Sequence, residues 1–152
     1  MRRFLLVAAS ALALAAAAGA TIVPQKGIAG VSLGMSKGKV TAVLGTPKSV
    51  KHGTNDFGKY TKFGYTGLEI IFQGNASATS IATTRRSEKT ASGVGVGSTE
   101  AQVKAKVTGV KCKTEAGFRH CFVGKFVAGK RMTDFTIKRG HVTRVSVGIV
   151  ID

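Results

Sequence analysis

Two cysteines and three histidines are the residues of this chain best suited to covalent or metal chemistry. If the chain is exported, as its first 20 residues indicate below, a single pair of cysteines predicts one disulfide. This disulfide would join Cys112 and Cys121. A zinc site including His120 is the alternative, but two thiols and one imidazole lack a clear fourth ligand. The spacing is not C-x-x-C, which argues against a redox-active pair. We therefore expect a structural disulfide and no metal.

The surroundings of the cysteines indicate how the disulfide would form. Cys112 lies in VKCKT and Cys121 in FRHCFVGKF, with the turn-like segment 115–117 between them. A hairpin that folds about Ala116 and Gly117 places the two cysteines directly opposite each other. Opposed residues at such a position have Cα atoms about 4.5 Å apart, which is within reach of a disulfide.

The remaining titratable residues do not form a pattern typical of an enzyme. No serine lies in a G-x-S-x-G turn, and the glycines of segment 93–97 lack the lysine of a phosphate-binding loop. Glu100 is expected in the first turn of a helix, where a carboxylate favours the helix dipole. We expect no catalysis and no cofactor. The seven acidic residues of the chain are Asp56, Glu69, Glu88, Glu100, Glu115, Asp134 and Asp152.

The first 20 residues have the three parts of a cleavable export signal. Arg2 and Arg3 precede an uncharged apolar run at 4–18, and residues 18–20 form a small-residue A-x-A site. A membrane anchor is the alternative, but the run is shorter than the roughly 20 apolar residues that a span needs. Residues 16–26 contain no cysteine that could carry a lipid. We expect cleavage near Ala20 and a soluble secreted or periplasmic domain that begins at Thr21.

The domain after the signal is strongly basic. Without Arg2 and Arg3, 21 of the 23 basic residues remain against 7 acidic ones, a net charge of +14. Such a charge attracts polyanions, which outside the cell are wall polymers or anionic lipids. The lysines and arginines are scattered, and no motif interleaves them with aromatic residues as in nucleic-acid-binding proteins. We expect no specific nucleic-acid partner and no membrane span in the mature chain.

An internal repeat is the main organising feature of the mature chain. Residues 30–42, GVSLGMSKGKVTA, align with residues 93–105, GVGVGSTEAQVKA, at a constant offset of 63, and segment 71–75 aligns with 137–141. These matches predict a tandem duplication: a signal at 1–20, a first repeat at 21–90 and a second at 91–152, with the seam in the polar stretch 85–92. The repeats are expected to form one compact unit.

Each repeat has the local signals of a short helix followed by an antiparallel meander. Ser36 and Thr99 are the expected N-caps, and Gly45 and Gly109 the expected helix stops. Because helices this short are not stable alone, their apolar residues must pack on a sheet. The fold class is therefore α+β, with the two repeat sheets side by side. The apolar helix residues are Val40, Val43, Leu44, Val103 and Val107; the predicted strands are 60–65, 68–73, 78–84, 118–123, 132–138 and 142–150.

The segment GVSLGMSKGKVTAVLGTP resembles the opening of a SmpA/OmlA (BamE-like) module. That family's pattern is matched at Leu33, at residues 34–36, at Val40 and at residues 44–47. Two such modules in one secreted chain, with a disulfide in the second, are similar to the β-lactamase-inhibitor proteins. The resemblance implies a secreted scaffold whose paired sheets form one broad face for binding a protein.

The function expected from the sequence is a secreted, non-enzymatic binding module. Its partner would be another extracellular or envelope protein, with an inhibitor target as one subclass. Asn55, Asp56 and Phe57 are the candidate contact residues, because GTNDFG is too polar for a core and still carries an aromatic side chain. The alternative is a basic structural protein held to anionic envelope polymers by charge.

Overall fold

The computed structural model describes residues 21–151, so the predicted export signal, its cleavage site and Asp152 lie outside the described residues. Two short helices and eleven strands make up this range. The helices are α1 (Lys37–Leu44) and α2 (Glu100–Lys106). The strands are β1 (Ile22–Val23), β2 (Gly27–Ile28), β3 (Val31–Ser32), β4 (Ser49–Asn55), β5 (Gly58–Tyr65), β6 (Leu68–Gln73), β7 (Ser80–Thr83), β8 (Lys111–Glu115), β9 (Phe118–Gly124), β10 (Arg131–Lys138) and β11 (His141–Ile149).

Eight of the strands form one continuous antiparallel sheet. Its order is β4-β5-β6-β7-β11-β10-β9-β8, so each helix is followed in the chain by four neighbouring strands of the sheet. The two groups of four meet where β7 pairs with β11, with Val145 opposite Thr83 and Val147 opposite Ile81. The two predicted side-by-side sheets are therefore hydrogen-bonded into one.

A small sheet of three two-residue strands, β1-β2-β3, lies before α1 and was not predicted from the sequence. Its apolar residues Ile22 and Ile28 are fully buried. The backbone N–H groups of Thr21 and Ile22 both donate to the carbonyl of Lys89, which ties the beginning of the described chain to the segment between β7 and α2.

Local capping interactions fix the start of both helices. The Ser36 hydroxyl accepts a hydrogen bond from the Lys39 N–H, and Thr99 forms a complete capping box with Gln102. Gly45, with a φ of 80°, ends α1 as the sequence predicts. Helix α2 ends earlier than predicted: its last residue is Lys106, and Gly109 lies in the turn that follows.

The core lies between one side of the large sheet and a layer formed by the helices and the small sheet. Val40 of α1 and Val103 of α2 are fully buried, as predicted. Phe72 and Phe135 are the largest fully buried side chains of the sheet. The expectation for Val43 was wrong, since 47% of this residue is exposed. A two-turn helix has one narrow contact stripe, and Val40 occupies it.

Within residues 21–151, neither helix has the length and apolar character needed to cross a membrane.

Candidate binding surface

The side of the large sheet that faces away from the helices is the candidate binding surface, called here the open face. Its geometry follows from the strand register, because alternate residues of a strand point to the same side. A row of directly opposed residues crosses all eight strands on this side. From β8 to β4 the row is Lys111, Phe122, Asp134, Ser146, Ala82, Glu69, Gly64 and Ser49.

Most of this row is polar, which distinguishes the open face from the core side of the same strands. Glu69, Asp134 and Ser146 are half-buried, as expected for side chains that neighbour one another on a sheet without a further layer over them. On the core side, the alternating residues Phe135, Val145 and others are completely buried. The open face is thus a solvated surface of a sheet whose other side is packed.

An ion-pair network lies near the centre of the open face and links the two halves of the sheet. Arg144 Nη2 of β11 donates to Glu69 Oε1 of β6 at 2.8 Å, and Lys62 Nζ of β5 lies 3.4 Å from the other carboxylate oxygen. Burial alone would raise the pKa of Glu69, but the hydrogen bond and charge of Arg144, with Lys62, hold that pKa below its ordinary value. Glu69 is therefore ionised at neutral pH.

An aromatic patch made of Phe118, His120, Phe122 and Phe126 covers the β9 side of the open face. The rings of Phe122 and Phe126 meet edge-on, with centroids 4.9 Å apart, and the His120 ring lies 5.5 Å from that of Phe122. Lys113 Nζ lies over both phenylalanine rings, 4.5 Å from the centroid of Phe126. Phe118 and Phe126 are 66% and 53% exposed, so the patch offers apolar area to a partner.

His120 is held in this patch by a carboxylate. Its Nδ1 is hydrogen-bonded to Asp134 Oδ2, and its Nε2 is buried without a hydrogen-bond partner among residues 21–151. The nearest acid to Nε2 is Glu115, at 3.9 Å. An acid–histidine pair can activate a nucleophile, but within the described chain no hydroxyl is bonded to Nε2. The hydrogen bond to Asp134 fixes the orientation of the imidazole beside the rings of Phe122 and Phe126.

The predicted contact residues Asn55, Asp56 and Phe57 lie together at the tip of the β4–β5 hairpin, at the sheet edge opposite the aromatic patch. Asn55 Oδ1 accepts from the Phe57 N–H at 3.0 Å, while Asn55 Nδ2 donates to Gln73 Oε1 at 3.1 Å. The Gln73 amide also donates to three carbonyls of residues 57–59. These bonds hold the tip in one conformation and leave Phe57 49% exposed.

The disulfide predicted between Cys112 and Cys121 is present. The two residues are directly opposed in the β8–β9 pair, with Cα atoms 4.0 Å apart. It lies on the core side of the hairpin, since Cys121 is fully buried. The sulfur atoms and the Glu100 carboxylate lie within 4.8 Å of one another, but sulfurs joined in a disulfide offer no thiolate, so these residues do not fit a metal.

Glu100 connects helix α2 to the disulfide-bonded hairpin. Arg119 of β9 donates to both carboxylate oxygens of Glu100, from Nε at 3.1 Å and from Nη2 at 2.5 Å. The Nζ atom of Lys104 lies 2.7 Å from Glu100 Oε1. The hydrogen bonds from Arg119 and Lys104 lower the pKa of Glu100 from its ordinary value of 4.5 to about 2.

The aromatic patch was not predicted from the sequence. A signal was available, because Phe118, His120 and Phe122 alternate with Arg119 and Cys121 along a predicted strand, which places all three rings on one side. The contribution of Phe126 had no such signal, since it depends on how the β9–β10 loop folds back over the sheet.

The fold and surface together define a mostly β protein of the α+β class with one open sheet face. No protein-family model matches the sequence, and no curated protein matches it. Among solved structures, the chain is similar to an extracellular protein containing a SCP domain from Bacillus anthracis, with a TM-score of 0.54 and 8% identity. The similarity covers 77% of this chain and 44% of that one, so this chain spans less than half of its length. This likeness concerns the fold alone.

Two further structures have lower scores. A DUF4309 family protein from Bacillus subtilis has a TM-score of 0.47 at 16% identity, covering 75% of this chain and 78% of that one. A candidate β-lactamase inhibitor protein from Streptococcus mutans has a TM-score of 0.34 at 9% identity, covering 86% of this chain and 91% of that one. At these scores the two likenesses support no structural conclusion.

Proposed function

We propose that the mature chain is an exported, non-enzymatic binding module that holds another extracellular or envelope protein on the open face of its sheet. The observation that carries this proposal is the aromatic patch. The exposed ring of Phe118 stands on the disulfide-closed β8–β9 hairpin, and the exposed ring of Phe126, in the loop after β9, packs edge-on against Phe122 of the same hairpin. Aromatic side chains on a rigid support are typical anchors of protein interfaces, because they bury much area at little cost in conformational entropy.

The proposed partner has an acidic contact surface. The mature chain carries 21 basic residues against 7 acidic ones, and several of its carboxylates are already paired on the chain itself, as Glu69 is with Arg144. Opposite charge would accelerate association, while the apolar patch would contribute the lasting contact. Asn55, Asp56 and Phe57 are proposed as a second contact at the other edge of the sheet.

We further propose that the two halves are copies of one unit related to the SmpA/OmlA module. The aligned segments 30–42 and 93–105 support this, as does the order of elements, with a short helix and four sheet strands in each half. The N-terminal signal pattern and the disulfide support export.

The second candidate is a basic structural protein that adheres to anionic envelope polymers by charge alone. The high positive charge of the mature chain favours it. Binding measured at increasing salt concentration distinguishes the two functions. Adhesion by charge is lost as ionic strength rises, whereas binding through an interface with an apolar centre largely persists.

Partner capture with matched variants tests the proposal. The mature domain is immobilised, incubated with envelope extract and culture supernatant, and washed at about 0.5 M salt, where exposed charges are strongly screened. We expect one acidic protein to be retained by the wild type and its recovery to fall at least about tenfold with F118A/F126A, since interface aromatics often contribute above 2 kcal/mol. The matched control, K39A/V43A, alters exposed side chains of α1 on the opposite side of the molecule and should retain it.

Equal recovery by F118A/F126A and the wild type would contradict the assignment of the aromatic patch. Complete loss of binding by the wild type at high salt would instead support adhesion by charge alone. The hairpin tip is tested separately with D56A/F57A, and unchanged recovery of the same protein would remove it from the proposed interface.

A further inference from the structure

A cleft of about 510 Å³ lies at the end of the sheet where the β9–β10 loop leaves it. Four of its lining side chains are cationic and none is acidic. All four cationic residues are exposed at its rim or walls. This cationic cleft is lined by Lys111, Lys125, Lys130 and Arg131, together with Gln25 and Gly124.

The positive charge of the cationic cleft is not balanced by the carboxylates of residues 21–151. In this range no ion pair involves any of its four cations, although other lysines and arginines form six ion pairs elsewhere in the same range. Asp56 lies in the hairpin tip at the far edge of the sheet. The carboxylates that are paired with other cations are Glu69, Glu88, Glu100 and Glu115, and Asp134 is hydrogen-bonded to His120.

The backbone that carries these cations is fixed by hydrogen bonds and close approach. Gly124 has a φ of 112°, and a Cβ there would lie 2.5 Å from the Arg131 carbonyl, so only glycine allows the two strands to come this close. Gln25 donates to the same carbonyl at 2.9 Å. The Lys130 carbonyl accepts from the Val150 N–H at 2.9 Å. The cations therefore extend from an ordered frame.

We propose that the cationic cleft is a binding site for a polyanion that carries phosphate groups. Four like charges around one cleft repel each other, and a ligand with several negative charges relieves that repulsion. A single phosphate group carries about two negative charges at most near neutral pH, so two or more phosphate groups are needed to match four cations. Arg131 supplies a planar fork suited to phosphate oxygens, and the lysines supply compact point charges.

This site is separate from the protein-binding function proposed above, although the two are close. Lys111 lies directly opposite Phe122 of the aromatic patch in the β8–β9 register. A phosphate polymer held in the cationic cleft would keep the open face close to the polymer. The proposal does not depend on a protein partner, because its ligand can be supplied as a pure compound.

Calorimetric titration with tripolyphosphate at about 0.15 M salt tests the site. We expect binding by the mature wild-type domain and a loss of at least about tenfold in affinity with K125A/K130A, since two of the four attracting charges are removed. The matched control K39A/K51A removes the same net charge from exposed positions on α1 and β4. Its affinity should change by less than about twofold, because those charges are distant and screened.

Absence of wild-type binding, or equal losses with K125A/K130A and K39A/K51A, would overturn the proposal, because the second result attributes binding to net charge. F118A/F126A should bind tripolyphosphate as the wild type does, so failure of the protein-binding proposal can be recognised separately. Co-sedimentation with phosphatidylglycerol vesicles, compared with phosphatidylcholine vesicles, identifies the source of the phosphate. Selective vesicle binding that K125A/K130A abolishes indicates a lipid surface, and tripolyphosphate binding without it indicates a soluble phosphate polymer.

Discussion

Glu100 illustrates how a single side chain joins local and tertiary structure in this protein. The sequence places it in the first turn of α2, where a carboxylate stabilises the helix dipole, and the structure adds a two-point contact with Arg119 of β9. Because Arg119 is next to His120 in the strand, this contact holds the helix against the strand that carries the aromatic patch.

Acid sensitivity follows from the lowered pKa of Glu100. Its pKa falls from 4.5 to about 2 on folding, so the stabilisation is complete above pH 4.5 and is lost as the pH falls towards 2. We expect Glu100→Gln to be less stable than the wild type at pH 7 and to lose less stability between pH 4.5 and 2. Urea unfolding at a series of pH values measures this.

Asp56→Asn is the control for the acid experiment, since Asp56 is an exposed turn residue without an ion pair among residues 21–151. It should follow the wild-type profile. A Glu100→Gln variant whose stability falls with acid as steeply as that of the wild type would show that Glu100 does not carry this dependence.

At the scale of elements, the β8–β9 hairpin depends on its disulfide. Strand β8 is an edge strand with one neighbour in the sheet, and the Cys112–Cys121 bond fastens it to β9. We expect the double variant C112S/C121S to lose about 2–3 kcal/mol of unfolding free energy, the chain-entropy estimate for so short a loop.

Urea unfolding with and without reductant measures the contribution of the disulfide. Reductant should shift the wild-type midpoint down to that of C112S/C121S and leave the double variant unchanged. A wild-type midpoint that reductant does not move would show that the hairpin is stable without the bond.

The elements that could be predicted from the sequence are those with local signals. The N-caps of both helices, the hairpin around residues 116–117 and most central strands were predicted from spacing and alternation. Strand β4 was missed because its sequence, SVKHGTN, is polar and exposed, as an edge strand can be. The two-residue strands β1 to β3 had no local signal, since contacts with distant residues such as Lys89 stabilise them.

The candidate site could be predicted only in part for the same reason. Residues 55–57 stood out by composition, and the structure places them at an ordered hairpin tip. The aromatic patch and the cationic cleft arise where separate strands and a loop meet, so their residues are not neighbours in the sequence.

At the scale of the whole molecule, the two halves share one sheet and one core. Strands β7 and β11 are hydrogen-bonded across the seam, and the Glu69–Arg144 pair spans it on the open face. In the polypeptide 91–152 alone, β11 would lose its partner β7 and become an edge strand paired only with β10, and core residues such as Val145 would be exposed.

We therefore expect the polypeptide 21–152 to unfold in one cooperative transition and the polypeptide 91–152 to show none. Thermal unfolding followed by circular dichroism and calorimetry distinguishes these outcomes. A cooperative transition of 91–152 with a native-like spectrum would show instead that each half folds independently.

Site-specific photo-crosslinking tests the central claim, that the open face holds a protein partner. A benzophenone-bearing phenylalanine analogue replaces Phe118 or Phe126 on the open face, or Val43 on α1 as the opposite-side control, and each protein is irradiated in envelope extract. We expect the same cross-linked protein from positions 118 and 126 and none from position 43. Cross-linking of that protein from position 43 with equal yield, or from position 43 alone, would contradict it.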